Sequence, residues 1–258
     1  MSDRPLSDER PLERPSESER AARSALEELF RESPIQGGDL LEQLSLYLRP
    51  QVVSHVLAMA ELYRQILDVH GAVFDLGTRY GRNMVTFSSL RRVYEPYNYF
   101  RQIVGFDTFS GFPDNAARDQ DGGASAATRR GTFGVPPGYA EHLSRLLAVH
   151  EQESPLAHIP RHELRAGDVA TELPAYLREH PETVVALAYF DFDLYEPTRA
   201  ALEAILPHTT RGSILAFDQP THATYPGETV AFKEVLDIKR HKLRRFSYQS
   251  HPAYIVME

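Results

Sequence analysis

A chain of 258 residues with 42% hydrophobic and 25% charged content is composed like an ordinary globular protein and can bury the core of one large domain or two small ones. Its 28 Lys and Arg against 36 Asp and Glu give a formal net charge of −8, so no overall basic field favours nucleic acid or an anionic membrane. The absence of cysteine excludes disulfides, thiolate metal sites and a cysteine nucleophile, and no apolar run reaches the about 18 residues that a membrane-spanning helix needs.

Residues 1–20, MSDRPLSDERPLERPSESER, mix Pro, Ser, Arg and Glu without apolar periodicity, which predicts a flexible arm because nothing in them offsets the entropy of ordering. No apolar signal core stands behind these charges, and the expected location is cytoplasmic. From Ala21 the spacing of Ala21, Leu26, Leu29 and Phe30 predicts a helical N-terminal extension over 21–70, interrupted at Pro50. It is a substrate lid or a homo-oligomer contact, and its apolar faces, which need burial beyond the sheet, favour the contact.

From Gly71 short β-rich runs alternate with helical segments. The expected order is strand 71–77, helix 81–94, strand 102–107, a polar Gly-rich stretch 113–138, helix 139–152, strand 162–167, helix 171–180, strand 183–191, helix 196–206, strand 213–218, helix 228–238, and closing strands 243–249 and 253–257. The stretch 113–138 exceeds ordinary connections and reads as a lid or as disorder. Parallel strands need crossovers, so this alternation builds a sheet wound on both faces; the SHP connection at 250–252 is too short for one, so the last two strands pair antiparallel. The expectation for 71–258 is an α/β, Rossmann-like domain with a seven-stranded, mostly parallel sheet and an antiparallel last strand.

Ligands bind such sheets beyond the carboxyl ends of the strands. An Asp lies at or next to all five of those ends, in DLGTRYGRN (75–83), DTFSGFPDN (107–115), GDVATELP (167–174), DFDLYEP (191–197) and DQPTHATYP (218–226). Gly77 and Gly81 flank a turn that opens a helix, where a ligand can approach bare N–H groups; a turn that merely needs glycine is the alternative, and the spacing is not G-x-G-x-x-G. Asp107 suits the two hydroxyls of a ribose, or is a solvated loop carboxylate, and Asp168 with its neighbours suits an adenine edge. Asp191 and Asp218 end adjacent strands roughly 4.8 Å apart, so one is protonated or a cation lies between them, unless each merely caps the helix that follows. An oxygen-rich site without Cys suits Mg²⁺ or Ca²⁺. Asp193 fits better as a cap of the helix that follows. His222, in the loop after Asp218, is a candidate general base, and the basic run 239–246 is a phosphate contact or a solvated edge.

The blocks FDLGTRYG, GFDTFSGFP, AGDVATELP and above all YFDFDLYEPTRAALEAILP with RGSILAFDQ resemble the S-adenosylmethionine-dependent O-methyltransferases of the macrocin O-methyltransferase (TylF) type, over roughly residues 71–236. The resemblance implies a class I methyltransferase fold, S-adenosylmethionine as cofactor, Mg²⁺ (or Ca²⁺), and methylation of a sugar hydroxyl in antibiotic biosynthesis, the acceptor being a small sugar or a glycosylated natural product. By position it implies Asp191, Asp218 and Gln219 as metal ligands, Asp191 also as base with His222 secondary, and Asp107, Thr108 and Phe109 on the ribose side. Asp75, Gly77, Thr78, Arg79 and Gly81 fall at the methionyl end, and Gly167, Asp168 and Val169 on the adenine side. The chain departs from that pattern with Phe192 where Gly is common, Gln219 where a second Asp is common, and Asp75 where Glu is usual. Two rival readings are a nicotinamide oxidoreductase, which the missing glycine fingerprint argues against, and a non-catalytic nucleoside-binding protein, which Phe192 and Gln219 would suit.

Overall fold

The computed structural model describes residues 16–113, 130–223 and 225–258. The chain divides between His55 and Val56 into two compact units. The first begins with α1 (Glu17–Arg31), where the Ser16 hydroxyl accepts the Glu19 N–H at 3.2 Å and the Glu19 carboxylate accepts the Ser16 N–H at 2.7 Å. This reciprocal cap satisfies two donors that a helix start leaves unpaired. Residues 17–20, expected in the arm, are therefore the first turn of a helix, and 1–15 lie outside the described residues. α2 (Gly37–Glu42) and a 3₁₀ turn (Leu44–Tyr47) follow, and Tyr47 donates to the Ser33 hydroxyl at 2.9 Å while its ring meets Phe30 edge-on. Pro50 does not interrupt a helix but opens α3 (Pro50–Gln65), where its missing N–H is one the helix would leave unpaired anyway.

The second unit begins inside α3 rather than at residue 71. Ala58, Met59, Leu62, Tyr63 and Ile66 are fully buried in a core on one face of the sheet, so the last turns of the expected extension belong to the sheet domain. The sheet domain continues through β1 (Ala72–Leu76), α4 (Arg82–Tyr94), β2 (Ile103–Asp107), α5 (Tyr139–Gln152), β3 (His162–Ala166), α6 (Val169–Glu179), β4 (Val185–Phe190), α7 (Tyr195–Ile205), β5 (Thr209–Phe217), α8 (Pro226–Val235), β6 (Arg244–Arg245) and β7 (Ala253–Val256). Strand order is β3-β2-β1-β4-β5-β7-β6, with the first five parallel and β7 antiparallel to both of its neighbours. β1 and β4 are buried along their whole length, as the apolar run VALAYF and AVFDL, apolar but for Asp75, lead one to expect of strands covered on both faces. β6 shrinks from the expected seven residues to two exposed arginines, which charge the sheet edge and discourage further pairing.

Helices cover both faces. Leu173, Tyr176, Ala201, Leu202, Ile205 and Phe232 of α6, α7 and α8 pack on one, and α3, α4 and α5 pack on the other with Met84, Phe87, Leu143 and Leu147. Strand order reverses at β1, between β2 and β4, which fixes the ligand-binding crevice at the carboxyl ends of these strands. Among the described residues no helix is long and apolar enough to cross a membrane.

Candidate functional site

At the exit of β1 the chain turns through Gly77 at φ 98°, and the Asp191 carbonyl occupies the place a Cβ would take. Glycine is thus required by the crossing of the β1 and β4 exits as well as by the turn, and the crossing is pinned by Gly77 N–H to Phe106 O at 2.9 Å and Asp191 N–H to Leu76 O at 2.7 Å. Thr78 donates to the Asp75 carbonyl at 3.0 Å, and Gly81 caps α4 in a left-handed conformation with the Leu143 side chain against its Cα.

Asp107 ties this turn to the one after β2. Its Oδ2 accepts the Arg79 N–H at 2.7 Å and its Oδ1 the Phe109 N–H at 2.6 Å. Arg79 and Phe109 both hold positive φ, 47° and 55°, a strain that non-glycine residues keep only where surrounding structure enforces it. Burial pushes the Asp107 carboxyl up and the two backbone N–H groups pull it back. Each oxygen retains a second lone pair for a ligand. Thr108 turns away, donating to the Gly111 carbonyl at 3.0 Å. The Arg79 guanidinium lies over both the Tyr80 and Phe133 rings, 4.8 Å from each centroid.

Asp75 is fully buried, accepts from Asn83 Nδ2 at 3.2 Å, and is pushed up to about 7 by desolvation. On the third strand's exit, Gly167 N–H bonds the Asp107 carbonyl at 2.9 Å, and Asp168 caps α6 by accepting the Ala170 N–H at 2.9 Å. Val169, expected on the adenine side, sends its side chain into the core, so only its backbone remains for a ligand. Of the stretch expected as a lid, 114–129 lie outside the described residues; at its base Phe112 and the Gly131–Thr132 segment exchange backbone bonds of 2.9 Å.

The exits of β4 and β5 gather acid. Asp218 is buried and accepts the Tyr189 hydroxyl at 2.6 Å. Asp191 is pushed well above the usual carboxylate range by desolvation, then by Asp218 and Asp193, with Arg82 pulling the other way. Glu228, 1% exposed in the first turn of α8, is pushed up by burial and by Asp193, Asp218 and Asp191. Asp193 is not the expected helix cap. α7 starts at Tyr195 behind Leu194 with no side-chain cap, while Asp193 sits buried at φ 61° with its charge acting on Asp191 and Glu228. Phe192, between the two aspartates, is half-buried against the core. His222 is half-buried, its ring 5.4 Å from that of Tyr225.

No group of three or more His, Asp or Glu side chains is arranged to hold a metal among the described residues. Asp191 and Asp218 supply two carboxylates, and Gln219, 5% exposed, adds an Oε1 that has no hydrogen-bond partner among the described residues. Two mutually repelling carboxylates, with an orphaned amide oxygen on the residue that follows Asp218, are an all-oxygen donor set of the kind a hard cation takes. Tyr189, Asn83 and Glu228 were not singled out by the sequence. Tyr189 carries a signal in hindsight, as the one polar tip in VALAYF and two residues before Asp191 on the same strand face. Glu228 carries none, because an acidic residue in a helix's first turn is ordinarily solvated.

Known structures share this fold. The crystal structure of CalS11, a calicheamicin methyltransferase, is 44% identical over 94% of both chains with a TM-score of 0.90. The apo structure of CalS11, described as a TDP-rhamnose 3'-O-methyltransferase of calicheamicin biosynthesis, is 41% identical over 94% of this chain and 96% of the other, with a TM-score of 0.83. The O-methyltransferase NovP shares the fold at 16% identity over 79% of each chain, with a TM-score of 0.59. No family model matches the chain, and no curated protein does.

Proposed function

The chain belongs to the S-adenosylmethionine-dependent sugar O-methyltransferases, the family of CalS11, and from that premise we propose that it methylates a hydroxyl of a deoxysugar in natural-product biosynthesis with the help of a divalent cation. The observation that carries the reading is 44% identity to CalS11 across 94% of both chains. Membership sets aside the oxidoreductase and the non-catalytic binder. Because CalS11 is named for TDP-rhamnose, a nucleotide-linked deoxysugar is the first acceptor to test, ahead of a glycosylated natural product.

Asp107, with the backbone of the Gly77–Gly81 turn and of Gly167, would hold S-adenosylmethionine, whose sulfonium supplies an electrophilic methyl group. Asp191, Asp218 and Gln219 would hold Mg²⁺ or Ca²⁺, which when bound supplies positive charge that offsets the carboxylates and favours loss of a proton from the acceptor. In the transfer, the acceptor hydroxyl gives its proton to the Asp191 carboxylate, its oxygen bonds the methyl carbon, and the carbon–sulfur bond breaks to leave a neutral thioether. Tyr189 fixes Asp218 by its hydroxyl, and aligning acceptor, methyl and sulfur is the remaining work of the turns. The exposed Leu41 and Leu46 of the first unit, at 69% and 60%, are the apolar surface for the proposed self-association.

The test is transfer of an isotope-labelled methyl group from S-adenosylmethionine to TDP-deoxysugars, with and without a chelator. Label should enter an O-methyl group of the sugar, stop on chelation and resume with Mg²⁺. Transfer that ignores the chelator would remove the cation from this reading, and no transfer to any sugar would overturn it.

A further inference from the structure

Glu228 is a carboxylate at 1% exposure, a condition that acidic side chains tolerate only with partners. Its Oε1 accepts the Gln219 N–H at 3.2 Å, and its Oε2 has no hydrogen-bond partner among the described residues. One residue on, the Thr229 hydroxyl accepts the Thr221 N–H at 2.7 Å. The first turn of α8 thus holds the loop after β5 at two points, one through a neutral group and one through a group that is far costlier to bury. If holding a backbone N–H were the whole task, an amide or hydroxyl would do it. The charges that act on Glu228 come from every neighbouring exit: Asp191 beyond β4, Asp193 before α7 and Asp218 beyond β5, all acidic.

We propose that Glu228 serves the cation site formed by Asp191, Asp218 and Gln219, holding Gln219 by its backbone and supplying from the helix a negative charge that the Gln219 amide lacks. It is a positioning residue, acting through Gln219 and through its field without reaching the ion, in keeping with the absence of a three-carboxylate group among the described residues. The inference rests on the reading of those three residues as a cation site.

The experiment titrates the purified, metal-free full chain with Mn²⁺ by calorimetry, without substrate, and measures its melting temperature. Glu228→Gln keeps an acceptor for the Gln219 N–H and removes only the charge. It should weaken Mn²⁺ binding by about 10–100-fold, the usual effect of losing a group just outside the ligand shell, while the metal-free melting temperature stays level or rises. Moving the charge back, in the Gln219→Glu/Glu228→Gln double variant, should restore affinity to within about threefold of wild type, a rescue no merely structural role would show. The double variant keeps the charge count and serves alone if the single variant does not fold, a loss of affinity beyond about tenfold then overturning the proposal. Wild-type affinity in Glu228→Gln overturns the inference and leaves the cation reading standing. No Mn²⁺ binding by the wild type overturns that reading itself.

Discussion

At the amino ends of β1, β2 and β3, three fully buried arginines meet two carboxylates; at the carboxyl ends of β4 and β5, four carboxylates meet one another. In the first cluster Glu151 accepts from Arg91 and Arg161, both at 2.6 Å, and Glu95 accepts from Arg101 at 3.0 Å and from the Tyr63 hydroxyl at 2.6 Å. Further guanidinium donors go to backbone carbonyls, those of Ile66, Gly71, Pro96, Asn98, Arg101 and Arg161, and to the Ser154 hydroxyl, while Arg91 Nε has no hydrogen-bond partner among the described residues. His162 and the arginines hold the Glu151 carboxyl down at about 2 although burial works against them. In the second cluster burial is countered only weakly, by Arg82 at Asp191 and by the Gln219 N–H at Glu228, and both carboxyls are driven up. One sheet therefore carries a cluster in which each carboxylate is paired with arginine and another that is short of positive charge. The deficit, more than the acidity, distinguishes a binding site from a structural network.

Single isosteric substitutions break that comparison if it is wrong. Asp191→Asn should lower methyl transfer by about 10²–10⁴-fold, the span of a lost general base, and should not lower the melting temperature, because it relieves repulsion. A destabilised variant would mean that Asp191 is held as tightly as Glu151 and that the two ends are alike.

Glu151→Gln should do the reverse. Removing the carboxylate leaves Arg91 and Arg161 buried without their counter-charge, a loss of about 3–5 kcal/mol readable by urea unfolding, with turnover per folded molecule retained. The pH dependence sharpens it. An acid held below its unfolded value contributes stability that is present above that value and is lost as the pH falls through the folded one. For Glu151 the window runs from 4.5 down to about 2, so wild type should lose stability across it more steeply than Glu151→Gln. Equal slopes would show that the arginines do not hold the carboxylate.

Much of this sheet was legible because its signals are local and repeated. Alternating strands and helices, the unbroken VALAYF and the short SHP connection fix a parallel sheet with an antiparallel end, and an Asp at each strand exit follows from the same pattern. What escaped depends on contacts distant in sequence. Asp193 would be the cap only if α7 began at Leu194, one residue before its start at Tyr195, and capping preference alone does not place that start. Val169 looked available because it follows Gly167 and Asp168, yet it opens the buried face of α6. Glu228 lies nine residues from Gln219, and only the packing of α8 across the β5 exit brings their backbone and side chain together. Half of α3 was assigned to an extension for the same reason, since its apolar stripe does not say which surface it will cover.

Asp107 stands between the two extremes and carries the smallest effect. It is held neither by arginines, as Glu151 is, nor among other acids, as Asp191 is, but by two backbone N–H groups at 2.6 and 2.7 Å. Backbone donors offset its burial only in part, so the carboxyl stays somewhat raised. They use one lone pair on each oxygen and leave the other for a ligand. Asp107→Asn keeps one such acceptor and turns an NH₂ group toward either Arg79 or Phe109. The Gly77–Gly81 turn should loosen, and S-adenosylmethionine affinity measured by calorimetry should fall about tenfold, the equivalent of one modest hydrogen bond. Mn²⁺ affinity should not change, because the substitution touches neither Asp191 nor Asp218. A parallel loss of both would mean that the cofactor turn and the acidic cluster are one unit, and would merge two regions that the hydrogen bonds at Asp107 keep apart.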